Sequence, residues 1–345
     1  MDGNTEIDLI RTLYDRIRDI LIRKGDNSAF DAKSVFVQSV PIPGVTIDIE
    51  EYKDATSPSN PRGNLLSSQS FSTLVDQVPR VDANYLNTVF TVERTYGDIV
   101  NYAQSNDSVV LKILSENQKE YDRSKLASQI IGGTPWHMAY SLPSTWCTLD
   151  PTDIYFEFPL STKKLSVRRD SEFDKYGGEV PYKDGLWSIG GSFEDDIRGE
   201  QHHVEATYIE ISTEICPVEI VRPWMNANVL SMTGWNMGTA FRKGVVSIGR
   251  LSLDENCGTM PLIPVFFVAS RNVRIWGDWS DAEKKLIDGA ISGDKDVSLG
   301  PFQLSGRYHR SSSRFKSSYK DGSITIPGMH IIAWASQIVP LCPPD

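Results

Sequence analysis

The sequence lacks the local motifs that assign a chemistry on their own. It contains no Gly-x-x-x-x-Gly-Lys-Ser/Thr, Gly-x-Gly-x-x-Gly, His-Glu-x-x-His or Gly-x-Ser-x-Gly. These patterns belong to phosphate-binding loops, dinucleotide folds, zinc proteases and serine hydrolases, each in a defined strand or helix setting. Their absence argues against those classes. It leaves open an enzyme whose residues converge only in three dimensions, although we favour a protein that is not an enzyme.

Cysteine is scarce, and long apolar runs are missing. Cys147, Cys216, Cys257 and Cys342 lie far apart and form no Cys-x-x-Cys pair. This spacing predicts buried thiols rather than a disulfide framework. No run approaches the 18 or so apolar residues that a membrane-spanning helix needs. The first residues show no basic segment followed by an apolar one, so we expect a cytoplasmic location by default and leave signal-independent secretion open.

The chain also lacks an excess of basic residues. Its 35 Lys and Arg stand against 45 Asp and Glu, a formal net charge of −10. Dedicated nucleic-acid binding is therefore not expected, because phosphates are neutralised by a basic surface. With 40% hydrophobic and 23% charged residues over 345 positions, the composition is typical of an acidic, soluble globular protein with one large or two medium domains.

The first part of the chain has the apolar period of helices. Over residues 5–24, apolar side chains recur every three or four positions, which predicts an amphipathic helix. Two further helices are predicted at about 92–104 and 107–129, and one or two strands at 35–50. The Ser/Pro-rich stretch 54–73 predicts a loop. We therefore expect a mainly helical region over residues 1–135.

From residue 150 onward the period changes to short strand-like runs separated by Gly, Pro and Asn. Many strands at such spacing are typical of a sandwich or barrel. One helix is expected among them, because Ser280 and Glu283 form a capping-box pattern. The predicted fold class is α+β: the helical region, followed by a β-sandwich-like antiparallel domain over residues 150–345. The two parts either form separate domains or share one core.

One short segment has the residue types of a metal site. His203 and Glu205 would point to the same side of a strand, with His309 or His330 as a third ligand. The same pair is equally typical of a solvated surface, and the pattern is too common to indicate a metal. We therefore expect no metal site and no cofactor.

The preferred interaction segment runs from residue 307 to residue 320. It combines cations with aromatic residues and contains no acid. Such a mixture is typical of anion recognition, while the plain alternative is a solvated hairpin. The candidate ligand-binding residues are Arg307, Arg310, Arg314, Phe315, Lys316 and Tyr319. Trp235 joins them, because it lies with Met225, Met232 and Met237 in a Gly/Asn-rich stretch that we expect to be exposed if the protein stacks on sugars or sits at a membrane interface.

These observations favour a non-enzymatic binding or assembly protein that recognises its partner through loops of the β-rich domain. The partner is a protein, a glycan or an anionic lipid surface, and the oligomeric state is left open. A membrane-active or toxin-like protein is one alternative, since a helical region precedes an aromatic-rich β domain. A glycan-acting hydrolase is the other, because two carboxylates brought together by folding would suffice for that chemistry.

Overall fold

The protein combines helices with antiparallel sheets, in a computed structural model that describes residues 3–25, 35–39, 44–79, 90–126, 133, 135–164, 186–190, 200–252, 256–309 and 311–345. The predicted α+β class is confirmed. The helices among these residues are α1 (Gly3–Gly25), α2 (Ile49–Tyr52), α3 (Leu65–Leu74), α4 (Val92–Tyr102), α5 (Ser108–Arg123), α6 (Ala227–Ser231) and α7 (Asp281–Ser292).

Strands dominate the later part of the chain. They are β1 (Val35–Ser39), β2 (Val45–Ile47), β3 (Lys125–Leu126), β4 (Trp136–His137), β5 (Tyr140–Leu142), β6 (Phe156–Ser161), β7 (Trp187–Ile189), β8 (Glu200–His202), β9 (Ile209–Val221), β10 (Ser247–Ile248), β11 (Leu262–Gly277), β12 (Val297–Leu299), β13 (Phe302–Arg307), β14 (Arg314–Lys316), β15 (Ser318–Lys320), β16 (Ser323–Ile338) and β17 (Leu341–Cys342).

An eight-stranded antiparallel sheet organises the described residues. Its strands follow the order β1-β16-β11-β9-β5, with β2 and β15 also paired to β16 and β6 paired to β9. The N-terminal strands β1 and β2 thus join the same sheet as the C-terminal strand β16. A five-stranded sheet has the order β14-β13-β12-β7-β8. The long strands β9, β11 and β16 form the centre of the larger sheet, and the shorter strands extend it.

Burial along β11 divides the large sheet into two parts. The first ten residues of β11 are all buried, whereas the last six alternate between exposed and buried. A continuous apolar strand is covered on both faces, while an alternating strand is covered on one. Over the covered part, one face packs Phe267 and Ile331 against Trp146, and the other packs Val268 and Ile332 with the remaining core. The far end of the sheet therefore presents one face to solvent.

Four predicted helices are confirmed. They correspond to α1, α4, α5 and α7, and each begins or ends close to its predicted limit. In α7 the capping box forms as expected: the Ser280 hydroxyl accepts the N–H of Glu283, and the Glu283 carboxylate accepts the N–H of Ser280. Gly293 ends the helix in the left-handed conformation, which glycine adopts without a steric penalty.

The loop predicted over residues 54–73 is wrong in its second half, where α3 forms. Asn64 caps the helix by accepting the N–H groups of Leu66 and Ser67. The serines that suggested a loop donate to backbone carbonyls one turn earlier, Ser68 to Asn64 and Ser72 to Ser68. Their hydroxyls are thereby satisfied while the helix packs into the core through Phe71 and Leu74, which composition alone did not indicate.

The four cysteines are free and buried, as the spacing predicted. Burial raises the pKa of the Cys342 thiol to about 12. The thiol of Cys147 also has a raised pKa, chiefly because of burial. Such thiols are unreactive at neutral pH because the thiolate is the nucleophilic form. Within the described ranges, no helix is both long and apolar enough to cross a membrane.

Candidate functional site

The predicted interaction segment lies at the edge of the five-stranded sheet. In the β13–β14 pair, Arg307 stands directly opposite Arg314, and Lys316 opposite Ser305. Residues directly opposite in an antiparallel pair point to the same face, as do residues two apart on one strand. The structure therefore brings Arg307, Arg314 and Lys316 together on one face, which we call the cationic face. Arg310 lies outside the described residues.

The charges of the cationic face are only partly compensated. Arg314 forms an ion pair with Asp296. Arg307 and Lys316 have no carboxylate partner within the described part of the chain, and both are exposed. The cationic face is thus a local concentration of positive charge in a chain whose net charge is −10.

The aromatic residues of the segment anchor it to the interior. Phe315 is buried, with its ring 5.2 Å from Tyr308 and edge-on to His330 at 5.9 Å. Tyr319 is partly buried and packs against the main core. Neither ring is placed to be the main contact of a ligand, so the structure separates the cations of the segment, which face solvent, from its aromatic residues, which hold it in place.

The exposure of Trp235 and Met237 that a sugar-stacking or membrane-seated role requires is not observed. Trp235 is fully buried, Met237 nearly so, and the indole N–H of Trp235 donates to the carbonyl of Met232 at 2.8 Å. The Gly/Asn-rich composition reflects turns of the backbone, with Gly234 and Gly238 both at positive φ. These turns fold the tryptophan inward, away from the cationic face.

His203 and Glu205 lie on the surface, whereas His309 and His330 are buried. The structure therefore does not bring the four suggested metal ligands together. Within the described ranges, no three His, Cys, Asp or Glu residues form a group that could hold a metal ion.

Behind the cationic face lies a layer of buried polar side chains. The hydroxyl of Tyr52 and Nδ1 of His309 are 2.9 Å apart, and the Thr46 hydroxyl donates to Oε1 of Gln303 at 2.9 Å. His330 is fully buried, and burial lowers its pKa to about 4, although a hydrogen bond with the backbone of Gln303 acts against that shift. A neutral imidazole is therefore expected there, so His330 adds no charge to the cationic face.

Sequence reasoning missed a second group of ionisable residues, at the start of α4. Nε2 of His137 lies 4.0 Å from the carboxylate of Glu93, and its Nδ1 lies 2.8 Å from the Ser124 hydroxyl. The imidazole stacks on the ring of Tyr121 at 4.0 Å. Asp76 accepts the backbone N–H of Glu93 at 2.7 Å. We call these residues the Glu93 cluster. Their separation in sequence gave no local signal.

The hydrogen bonds of Ser124 in the Glu93 cluster differ from those of a catalytic serine. Its hydroxyl donates to the carbonyl of Tyr121 at 2.7 Å, and while it does so it accepts from Nδ1 of His137. A nucleophilic serine needs the opposite direction, with histidine as the base. In this arrangement Ser124 is not an activated nucleophile.

No family model, curated protein or solved structure matches the chain.

The Glu93 cluster leads to a prediction about pH. Burial, followed by the charge of Asp76, raises the pKa of Glu93 from its ordinary value of 4.5 to about 7. Between these values the folded state binds this proton more tightly than the unfolded state does, so Glu93 reduces stability progressively as pH rises from 4.5 through 7. Because this side chain is partly exposed, we expect Glu93→Gln to stabilise the protein at pH 8 by about 1–2 kcal/mol, with no gain at pH 4.

Urea unfolding at both pH values measures this difference. The histidines act in the opposite direction: burial lowers the pKa of His137 to about 4, so its contribution to stability is lost as pH falls from 6.5 to 4. His330 acts in the same sense. The loss of stability at low pH should therefore remain in Glu93→Gln. Glu116→Gln, on the exposed face of α5, is the control, and a constant difference between Glu93→Gln and the wild type at all pH values would contradict the assignment.

Proposed function

We propose that the chain is a non-enzymatic binding or assembly protein that captures an anionic partner through the cationic face of its β-rich part. The observation that carries this proposal is the placement of Arg307 opposite Arg314, with Lys316 on the same face and Asp296 as the compensating carboxylate. Cations grouped on one exposed face are typical of recognition, because they raise the association rate and select partners of opposite charge.

The anchoring of β14 in the interior also favours a binding role for the cationic face. Phe315 lies between the two flanking cations of β14, and its ring packs into the interior. A strand that is anchored in this way holds its charged side chains at fixed spacing, so less conformational entropy is lost when a partner binds. The proposed recognition surface thus lies on the paired strands β13 and β14, whereas the sequence suggested loops.

A charge-reversal experiment tests the proposal. We expect the triple variant R307E/R314E/K316E to lose capture on anionic surfaces, by about tenfold or more in affinity, while its melting temperature stays close to that of the wild type. Heparin beads, polyglutamate beads and phosphatidylserine-containing vesicles serve as probes and distinguish a glycan, a protein and a lipid partner.

The matched control carries the same change of net charge at a different place. Lys112, Lys119 and Arg123 are exposed on α5, so K112E/K119E/R123E alters the total charge equally. If capture falls equally in both triple variants, the loss is due to the change in net charge and not to the position of the cations, which would also refute the proposal. Unchanged capture by the variant of the cationic face, or no retention of the wild type on any probe, would refute the proposal.

The arrangement of the sheets and helices is a second part of the proposal. We infer that the large and the five-stranded sheets pack as a sandwich-like β-rich domain over residues 150–345, preceded by a mainly helical region over residues 1–135. Support comes from Leu304 of β13 and Ile332 of β16, which belong to one buried cluster. The pairing of β1 and β2 with β16 favours a shared core over two independent domains. The membrane-active and hydrolase alternatives and the cytoplasmic location stay predictions.

A further inference from the structure

The exposed end of the large sheet forms a second surface, separate from the cationic face. On the alternating part of β11, Arg274 and Trp276 point outward while Val273 and Ile275 point into the core. The strand register places further exposed residues beside them. One row contains Ser212, Arg274, Thr325 and Ser318. The next row contains Glu210, Trp276, Ser323 and Lys320. We call these two rows the Trp276 platform.

Trp276 is the large aromatic side chain of this platform, with 42% of its surface exposed. Its ring is braced from the side by Tyr208, edge-on at 5.1 Å. On another side, Gly322 leaves it room: a Cβ at Gly322 would stand 3.3 Å from the indole nitrogen. Because its neighbours already restrict the ring, binding a ligand to it costs little side-chain entropy.

The turn beside Trp276 keeps the strands of the platform in register. Asp321 and Gly322 both have positive φ and join Lys320 to Ser323, which stand opposite each other. An Asp-Gly pair with positive φ at both positions is the type I′ turn that matches the twist of a two-stranded hairpin. The carbonyl of Gly322 also accepts the indole N–H of Trp279 at 2.8 Å. The platform is therefore built on a rigid hairpin edge.

Arg274 supplies an uncompensated charge next to this aromatic ring. It is exposed and has no carboxylate partner within the described residues. Two positions along a strand correspond to about 7 Å on the same face, which sets its distance from Trp276 along the backbone. The side chains across from Arg274 are the hydroxyls of Ser212 and Thr325. A guanidinium among hydroxyls is a donor array that suits a carboxylate.

The composition of the platform argues for a sugar rather than a protein or a lipid. The centre of a protein interface is apolar and rich in several aromatic and aliphatic side chains, whereas the two rows hold one large aromatic residue among hydroxyls and charges. The cations Arg274 and Lys320 outnumber the acid Glu210. The partly exposed indole of Trp276 matches the C–H face of a pyranose ring, and the hydroxyls match those of the sugar.

We propose that the Trp276 platform binds an acidic polysaccharide of the uronate type. The ring of a sugar unit stacks on Trp276, its carboxylate is bound by Arg274, and its hydroxyl groups bind the serine and threonine side chains of the two rows. Lys320, two strands from β11, contacts the carboxylate of a neighbouring unit. The proposal is independent of the cationic face, which lies on another sheet.

Calorimetric titration with oligogalacturonate, oligomannuronate and hyaluronan fragments tests the proposal, with a neutral cello-oligosaccharide for comparison. We expect the wild type to bind at least one acidic oligosaccharide more tightly than the neutral one. Trp276→Ala should weaken that binding about tenfold or more, and Arg274→Gln should remove the preference for the acidic sugar over the neutral one. Both positions are exposed, so thermal unfolding should confirm that each variant folds.

Two controls separate this site from the cationic face. Tyr102→Ala removes another exposed aromatic side chain, on α4, and should leave binding unchanged. R307E/R314E/K316E should retain sugar binding that depends on Trp276. Binding that is lost in this triple variant but kept in Trp276→Ala would overturn the proposal and assign the sugar to the cationic face. Absence of wild-type binding to all three acidic sugars would overturn it as well.

Discussion

Replacing Glu283 by alanine is expected to lower the free energy of unfolding by about 4 kcal/mol, because its carboxylate satisfies several buried donors. Oε1 accepts the indole N–H of Trp187 at 3.1 Å and the backbone N–H groups of Glu205 and Ala206 at 3.0 and 3.3 Å. Oε2 accepts the N–H of Ser280 at 2.9 Å. Removing the carboxylate leaves these donors without an acceptor in a place where the side chain is 2% exposed.

Glutamine at the same position separates hydrogen bonding from size. Glu283→Gln keeps one oxygen acceptor but turns an NH₂ group towards donors, so we expect a loss of about half that of alanine. Asp288→Ala, exposed on the same helix, should change stability by less than about 0.5 kcal/mol. Denaturant unfolding of the three variants measures these differences. A Glu283→Ala variant no less stable than Asp288→Ala would contradict the role assigned to the carboxylate.

Glu283 also shows how far a local sequence pattern extends. The capping box with Ser280 was predicted from their spacing, because both partners lie within one helical turn. The bonds from Trp187, Glu205 and Ala206 were not predictable in that way, since they depend on how α7 packs against β7 and the segment before β9. One residue therefore combines a role visible in the sequence with a role created by the tertiary fold.

Strands and surfaces likewise combine features that are visible in the sequence with features that only the tertiary fold creates. The sequence shows that apolar and polar side chains alternate over Val273, Arg274, Ile275 and Trp276. It does not show which face of the sheet the rest of the chain covers. That cover comes from residues such as Phe71 and Trp146, which reach the neighbouring part of the sheet from distant segments. The exposure of Trp276 and the burial of Trp235 were therefore both beyond local reasoning, although both are tryptophans in β-rich surroundings.

The interaction segment was predicted from its charge, and the structure adds the register that gives the charges a geometry. Sequence alone shows four arginine and lysine candidates, but the direct opposition of Arg307 and Arg314 depends on the β13–β14 pairing. The Glu93 cluster gave no comparable signal, because Asp76, Glu93 and His137 meet only after folding. Charge density is a local property, whereas a perturbed pKa depends on burial.

Arg222 is the second position where a large effect is expected, because it is a cation buried among backbone carbonyls. Its Nη1 donates to the carbonyl of Pro264 at 2.6 Å, and its Nη2 donates to that of Val75 at 2.5 Å. The side chain thus connects the C-terminal end of α3 to the start of β11. Burial lowers the pKa of Arg222 to about 10, and the charge of Asp76 acts against that shift, so the guanidinium remains charged at neutral pH.

Arg222→Met is therefore expected to cost about 3–5 kcal/mol. Methionine fills much of the volume but leaves the two carbonyls without donors and Asp76 without its cation. Arg222→Lys keeps the charge, yet a single ammonium cannot reproduce the planar fork that reaches both carbonyls, so we expect an intermediate loss. Arg94→Met, at an exposed position on α4, is the control and should be nearly neutral.

A double-mutant cycle distinguishes loss of the charge pair from loss of packing. Burial raises the pKa of Asp76, and Arg222 opposes this, so removing the arginine leaves a carboxylate that is costly to ionise. Asp76→Asn keeps an oxygen that can accept the N–H of Glu93, and it should recover about 1 kcal/mol or more when combined with Arg222→Met. Strictly additive losses in the two single variants would show that the arginine acts through its hydrogen bonds and volume alone, with no energetic coupling to Asp76.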